Sequence, residues 1–68
     1  MAERLANGLK AERERLGLTQ AALAERVGVS RKTVNTVENG VFVPSTLLAL
    51  KLAAALGRPV EALFRIEQ

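Results

Sequence analysis

The sequence predicts an all-α fold of five short helices around a central helix-turn-helix motif at residues 20–39. Two helix-start signals lie eleven residues apart, because Thr19 and Ser30 can each offer a hydroxyl to an unpaired backbone N–H. Gly28 lies between these helices, where a sharp turn needs a residue that tolerates positive φ. Apolar residues at helical spacing, separated by single glycines, divide the rest of the chain into further helices.

Length and composition limit the functions open to the chain. Its 68 residues suffice for one small domain, 1–68, and include no cysteine, histidine or tyrosine, while all the acidic residues are glutamates. The usual general bases, thiol nucleophiles and most metal ligands are therefore missing, so we expect no enzymatic activity, no metal and no cofactor. The net charge of +3 mildly favours a polyanionic partner. Without a membrane-length apolar run or a signal peptide, we expect a cytoplasmic protein.

The first helix is predicted over Met1–Leu16 and ends at Gly17. Its apolar residues recur on one face, formed by Leu5, Leu9 and Leu16 with Ala2 and Ala6 beside them. The two motif helices are expected at Gln20–Arg26 and Arg31–Asn39, and Gly40 closes the second one.

Arg13 falls on or next to the apolar face of the first helix, where an aliphatic residue is the usual choice. Either its stem packs while its charged end reaches water, or the guanidinium meets an acid. Glu38 is the natural partner, since it borders the inner face of the second motif helix.

Two more helices complete the predicted fold. Ser45 is the expected N-cap of a helix at Thr46–Leu56, which stops at Gly57. Pro59 then opens a short fifth helix at Val60–Phe64, and Arg65–Gln68 is expected to be a tail.

The fourth predicted helix is apolar on nearly all sides. Leu47, Leu50 and Ala54 lie largely off its expected core face. A helix of this kind is usually covered on both sides, and a second copy of the chain is the simplest cover. Phe64 and Ile66, nearby in sequence, extend this candidate dimer surface. The alternative is that these are tolerated exposed apolar residues, which are normal on protein surfaces.

The second motif helix has a polar outer arc. Val34 and Val37 define its inward side at ~100° per residue. The opposite arc is free of acids and carries Lys32, Asn35, Thr36 and Asn39, with Arg31 at its edge. The major groove of DNA admits one helix, where arginine or lysine can donate to guanine, asparagine can pair with adenine, and threonine can contact several bases. The arc therefore predicts a base-reading surface, and Asn35 is assigned to it from this geometry alone.

The motif lies in the run GLTQAALAERVGVSRKTVNTVENG, and the chain continues as VFVPSTLLALKLAAALGRPVEALF. Several features agree at once: Leu18-Thr19-Gln20, Ala24, Gly28, Ser30-Arg31, Glu38-Asn39-Gly40, Pro44-Ser45 and Ala55-Leu56-Gly57. On these residues nearly the whole chain resembles the lambda-repressor-like, or Xre, family. Leu47 departs from the pattern, because that position is commonly polar in the family.

The resemblance implies a prokaryotic DNA-binding transcriptional regulator with a five-helix lambda-repressor-like domain. It implies base-reading roles for Arg31, Lys32 and Thr36, and an ion pair between Arg13 and Glu38. It implies phosphate contacts by Gln20, Thr33 and Asn39, which Thr19 can join. Among the remaining basic residues, Lys10 is the best additional phosphate candidate.

We therefore expect a homodimer that reads an inverted-repeat operator in double-stranded DNA. One alternative keeps the fold but makes the chain the antitoxin or controller subunit of a two-protein system, with a second protein on the apolar surface. Another is a helical protein-interaction module without a DNA role. In that last case, glutamates in place of Arg31 and Lys32 leave function intact.

Overall fold

Five helices make up most of the chain, and two short strands pair beside them. A computed structural model describes residues 3–67. In chain order the elements are β1 (Arg4–Asn7), α1 (Leu9–Arg15), α2 (Gln20–Val27), α3 (Arg31–Glu38), α4 (Thr46–Leu56), α5 (Val60–Leu63) and β2 (Phe64–Glu67). The five predicted helices are present, and the boundaries of α2 and α3 differ from the predicted ones by one residue each.

Three helices begin with the predicted hydroxyl caps. The side chains of Thr19, Ser30 and Ser45 accept hydrogen bonds from the backbone N–H three positions further on, at 3.0, 3.1 and 3.1 Å. Each bond satisfies a donor that has no partner within the helix. These caps confirm the predicted starts of α2, α3 and α4.

The turn between α2 and α3 depends on Gly28, which has a φ of 77°. Its N–H donates to the carbonyl of Ala24 at 2.9 Å, and the N–H of Val29 donates to the same carbonyl at 3.0 Å. A residue with a left-handed backbone conformation turns the chain sharply at this position. A side chain would disfavour that conformation, which glycine adopts readily. Ala24 itself is buried and leaves room for α3 to cross α2 closely.

The core lies between the motif and α4. Its buried apolar residues are Leu9, Leu23, Ala24, Val27, Val34, Val37, Leu48, Leu52, Ala53, Leu56 and Leu63. The inward side of α3, defined by Val34 and Val37, is the predicted one. On α4 the buried residues are Leu48, Leu52, Ala53 and Leu56, and Ala49 is half-buried.

The beginning and end of the described chain differ from the prediction. Residues assigned to the first helix form β1, which pairs antiparallel with β2. β2 replaces the expected tail and begins at Phe64, so the fifth helix ends one residue earlier than predicted. Arg4 lies opposite Glu67, and Asn7 lies opposite Phe64. The fold is therefore mostly helical, with the five predicted helices and a small two-stranded sheet that the all-α prediction did not include. Met1, Ala2 and Gln68, which are included in the predicted first helix and tail, lie outside the described residues.

The sheet is joined to the helices by hydrogen bonds. The N–H of Gly8 donates to the carbonyl of Leu63 at 2.7 Å, and the Asn7 side chain donates to the carbonyl of Val37 at 3.2 Å. Gly8 accordingly precedes α1, and the continuous leucine face predicted for a longer helix does not form. Leu9 is fully buried, whereas Leu16 is 42% exposed.

Candidate nucleic-acid interface

The outer side of α3 carries the predicted polar arc. Arg31 and Lys32 are exposed at its N-terminal end, and Asn35 and Thr36 are half-buried one turn further on. Within residues 3–67, neither Arg31 nor Lys32 forms an ion pair, and the first turn of α3 has no acidic residue. Two cations therefore lie beside the positive end of the helix dipole, and both effects favour an anion there.

Hydroxyl groups form the N-terminal edge of this surface. The hydroxyls of Ser30 and Thr33 are 2.9 Å apart, and the Thr36 hydroxyl donates to the carbonyl of Thr33 at 3.0 Å. Thr19 is exposed, although its side-chain oxygen already caps α2. Each hydroxyl has hydrogen-bonding capacity left after these contacts, since it has one donor and two acceptor sites.

A buried ion pair lies beneath the arc. Arg13, which is 8% exposed, donates from Nε to Glu38 Oε2 at 2.6 Å and from Nη2 to Glu38 Oε1 at 3.2 Å. Its Nη1 donates to the carbonyl of Leu18 at 2.7 Å. The hydrogen bond to Glu38 raises the pKa of Arg13, although burial acts in the opposite direction. The expected partner of Arg13 is thus in place, and it connects α1, the segment before α2 and the end of α3.

The ion pair continues into a chain of amide side chains. Gln20 Nε2 donates to Glu38 Oε1 at 3.0 Å, and Asn35 Nδ2 donates to Gln20 Oε1 at 3.4 Å. Asn39 Nδ2 then donates to Asn35 Oδ1 at 3.2 Å. Sequence reasoning missed these links. The only local signal was the four-residue spacing of Asn35 and Asn39, which places two side chains on one helix face.

Comparison with known proteins agrees with this geometry. A protein-family model described as "Helix-turn-helix" matches residues 9–63. The chain belongs to the lambda-repressor-like (Xre) family of DNA-binding transcriptional regulators. The match covers the five helices and stops just short of both strands of the sheet.

Two relatives and one solved structure extend the comparison. An "Uncharacterized HTH-type transcriptional regulator" of Methanothermobacter thermautotrophicus is 46% identical over 61 residues, which cover 88% of each chain. "Antitoxin HigA-1" of Vibrio cholerae is 44% identical over 54 residues, covering 79% of this chain and 50% of that protein. The crystal structure of the restriction-modification controller protein C.AhdI from Aeromonas hydrophila aligns with a TM-score of 0.76, at 37% identity, over 79% of this chain and 82% of that one.

This Xre-family chain has an apolar loop beside its polar arc. Val41 is 78% and Phe42 46% exposed, and both N–H groups donate to the carbonyl of Thr36, at 3.0 and 3.2 Å. The loop and α3 enclose a shallow pocket of about 390 Å³ whose lining includes Lys32 and Thr33. This loop borders the candidate interface directly.

The predicted dimer residues of this Xre-family chain do not lie in one place. Leu47, Leu50 and Ile66 are 65%, 54% and 71% exposed. Leu50 and the half-buried Phe64 line one groove of about 300 Å³ between α4 and the sheet. Leu47 and Ala54 line two other depressions.

Other candidate chemistry is limited in this Xre-family chain. Lys10, the additional phosphate candidate, is exposed on α1. Among residues 3–67 no three histidine, cysteine, aspartate or glutamate side chains are grouped so that they could hold a metal ion. In the same range, each helix is too short or too polar to cross a membrane.

Proposed function

We propose that this protein is a homodimer that reads an inverted-repeat operator sequence in double-stranded DNA and regulates transcription from it. It does so by blocking other proteins sterically or by contacting them. The observation that carries the proposal is the acid-free polar arc of α3, supported from beneath by the Arg13–Glu38 ion pair. Such a regulator acts in the cytoplasm, where the DNA of a prokaryotic cell lies.

Base recognition is assigned to the N-terminal half of α3. Arg31 and Lys32 donate to guanine O6 and N7, Thr36 contacts a neighbouring base, and Asn35 pairs with adenine. This assignment is supported by the exposure of both cations and by the depth of the two shorter side chains beside them. In helix-turn-helix proteins the N-terminal residues of the second helix contact base edges.

Phosphate contacts are assigned to the edges of the same surface, to Thr19, Gln20, Thr33, Asn39 and Lys10. These groups belong to α1, to both motif helices and to their caps, so together they can fix the orientation of the protein on the duplex. Because each neutralised phosphate releases counterions, the affinity should fall steeply with salt concentration.

The proposed dimer uses the apolar surface of α4 and the groove next to the sheet. Leu47 and Leu50 are more than half exposed, and Phe64 contributes to the same groove as Leu50. Half-sites one helical turn apart require recognition helices about 34 Å from each other. The longest dimension of one chain is 36 Å, so two copies in contact can span that distance.

A second candidate function is the antitoxin or controller half of a two-protein system. The similarity to a protein named as an antitoxin and to a restriction-modification controller supports it. In that case a different protein covers the apolar surface. Obligate co-purification with that protein would favour this function, whereas a stable homodimer on its own would count against it.

Selection of binding sites from a random duplex library tests the proposal. We expect an enriched palindromic site with a strongly salt-dependent affinity. Arg31→Ala should weaken binding to that site by about 1–3 kcal/mol and relax the preference at one base pair. Arg26→Ala removes an exposed arginine from the C-terminal end of α2 and is the matched control. It should preserve the base preference. Equal losses on selected and random DNA with Arg31→Ala would contradict a base-reading role.

A further inference from the structure

Four polar side chains form a continuous hydrogen-bonded path from the protein interior to the outer arc of α3. The path runs from Glu38 to Gln20, on to Asn35 and then to Asn39, with distances of 3.0, 3.4 and 3.2 Å. Its first member is almost completely buried, since the Glu38 side chain is only 2% exposed. Its last member is exposed. The path thus connects a fixed charge to groups that face solvent.

The charge at the buried end determines the direction of every bond in the path. A carboxylate can only accept hydrogen bonds, so Gln20 must turn its nitrogen towards Glu38. The carbonyl oxygen of Gln20 then faces Asn35, which must therefore present its own nitrogen. The oxygen of Asn35 is left for the nitrogen of Asn39. Reversal of any one amide would set two acceptors or two donors against each other.

We propose that this path fixes the amide orientation of Asn35, so that Asn35 pairs with adenine and discriminates against the other bases. Gln20 is thereby a positioning residue for base recognition. The inference rests on the proposed DNA-reading function and deepens it. Glu38 and Gln20 influence the base preference through Asn35, without touching the base that it reads.

Hydrogen-bond counting supports this role for Asn35. Its amide has two N–H donors and an oxygen with two lone pairs, and the path uses one of each. One donor and one acceptor remain, which match N7 and the N6 amino group of adenine. Guanine presents acceptors at both corresponding positions, so a fixed amide leaves one of them opposed by oxygen. An amide that is free to rotate can form hydrogen bonds with other bases, so the preference for adenine should then decrease.

The test uses four duplexes that differ only at the base pair whose preference Asn35→Ala alters. Good bidentate contacts discriminate by about 1–3 kcal/mol, so wild type should prefer adenine about 5- to 150-fold. Gln20→Met keeps the side-chain length but removes both amide groups. We expect it to reduce this preference at least about twofold, the lower end of the coupling between residues in contact. The double variant should lose little preference beyond that lost with Asn35→Ala.

Lys10→Ala is the matched control, because it removes a proposed phosphate contact that lies outside the path. It should weaken binding to all four duplexes equally. If Gln20→Met does the same, Gln20 contacts phosphate only and the positioning role is wrong. If Asn35→Ala alters no preference while Arg31→Ala does, this inference fails and the proposed function stands. If wild type selects no site from the random duplex library, both fail. Urea denaturation of each variant verifies that it is folded.

Discussion

The outward faces of α3 and α4 are both exposed, but one is polar and the other is apolar. On α3 the exposed face carries two cations and several amide and hydroxyl groups that are hydrogen-bonded to the elements beneath. On α4 the exposed face carries Leu47 and Leu50, with Lys51 as the only charged residue of the helix. A polar face with spare hydrogen-bonding groups suits a hydrated polyanion, while an apolar face gains by leaving water.

The two faces also differ in how they are held in position. Both helices pack through an apolar side, which is formed by Val34 and Val37 in α3 and by Leu48, Leu52 and Leu56 in α4. In α3, Glu38 also accepts hydrogen bonds from Arg13 of α1 and Gln20 of α2, whereas α4 receives a side-chain hydrogen bond from Arg15 at its last carbonyl, that of Leu56. Base recognition requires side chains in fixed positions, whereas an apolar contact tolerates adjustment. The comparison therefore predicts that substitutions beneath α3 act on stability and specificity, and substitutions on α4 act on association.

The largest expected effect is that of Glu38→Ala. It leaves the Arg13 guanidinium buried without its partner, which should lower the free energy of unfolding by about 3–5 kcal/mol. Urea denaturation measures this loss. Glu14→Ala removes an exposed glutamate from α1 and is the control, with a change within about 0.5 kcal/mol. Replacing both partners, as Arg13→Met with Glu38→Leu, should recover much of the stability. A loss below about 1 kcal/mol for Glu38→Ala would mean that the ion pair does not organise the α3 face.

The next largest effect concerns the α4 face. Leu50→Glu should raise the dimer dissociation constant at least about tenfold, since burial of a leucine contributes about 1.5–3 kcal/mol. Sedimentation equilibrium measures the change. Leu16→Glu places the same substitution on another exposed leucine, at the end of α1, and should leave the dimer intact. An unchanged dimer with Leu50→Glu would place self-association elsewhere, and a wild-type monomer would favour a different protein partner.

A smaller effect is expected for Lys10→Ala. Loss of one phosphate contact should weaken binding to all sequences alike and reduce the slope of log affinity against log salt by about 1. A salt series on selected and random duplexes measures both quantities. Arg26→Ala provides the comparison, with an unchanged slope. A lysine that is merely solvated would leave the slope as it is in wild type.

The smallest effect belongs to Glu12, which lies outside both faces. Hydrogen bonds from Arg15 at 2.7 Å and Arg58 at 3.0 Å hold the pKa of Glu12 below its usual value. A lowered folded-state pKa stabilises the fold above the pKa of the unfolded chain, and this stability is lost as the pH falls through the folded value. Glu12→Gln should thus lower Tm slightly near neutral pH and have no effect in strong acid. A difference that increases on acidification would contradict this account.

The motif could be predicted because its signals are local. Thr19, Ser30 and Gly28 each determine a cap or a turn within a few residues of their own position. The inward side of α3 follows from helical periodicity in the same way. These features need no knowledge of the rest of the chain, and the structure has them where they were expected.

The sheet was missed because it joins residues about sixty positions apart in sequence. Leu5 and Ala6 are good helix formers, and only their pairing with β2 overrides that preference. One signal was available: Phe64, Arg65, Ile66 and Glu67 alternate between apolar and charged residues, which is typical of a strand. The path through Gln20 and Asn35 depends on how two helices cross, so no sequence pattern revealed it.

The most direct measurement compares binding of wild type, Arg31→Ala and Leu50→Glu to a selected operator and to a single half-site. If α3 reads bases and α4 joins the two copies, Arg31→Ala should weaken operator binding by about 1–3 kcal/mol and should weaken half-site binding as well. Leu50→Glu should weaken operator binding and leave half-site binding unchanged. Unchanged affinity of Arg31→Ala for both duplexes, or equal losses for Leu50→Glu on both, would contradict this division between the two faces.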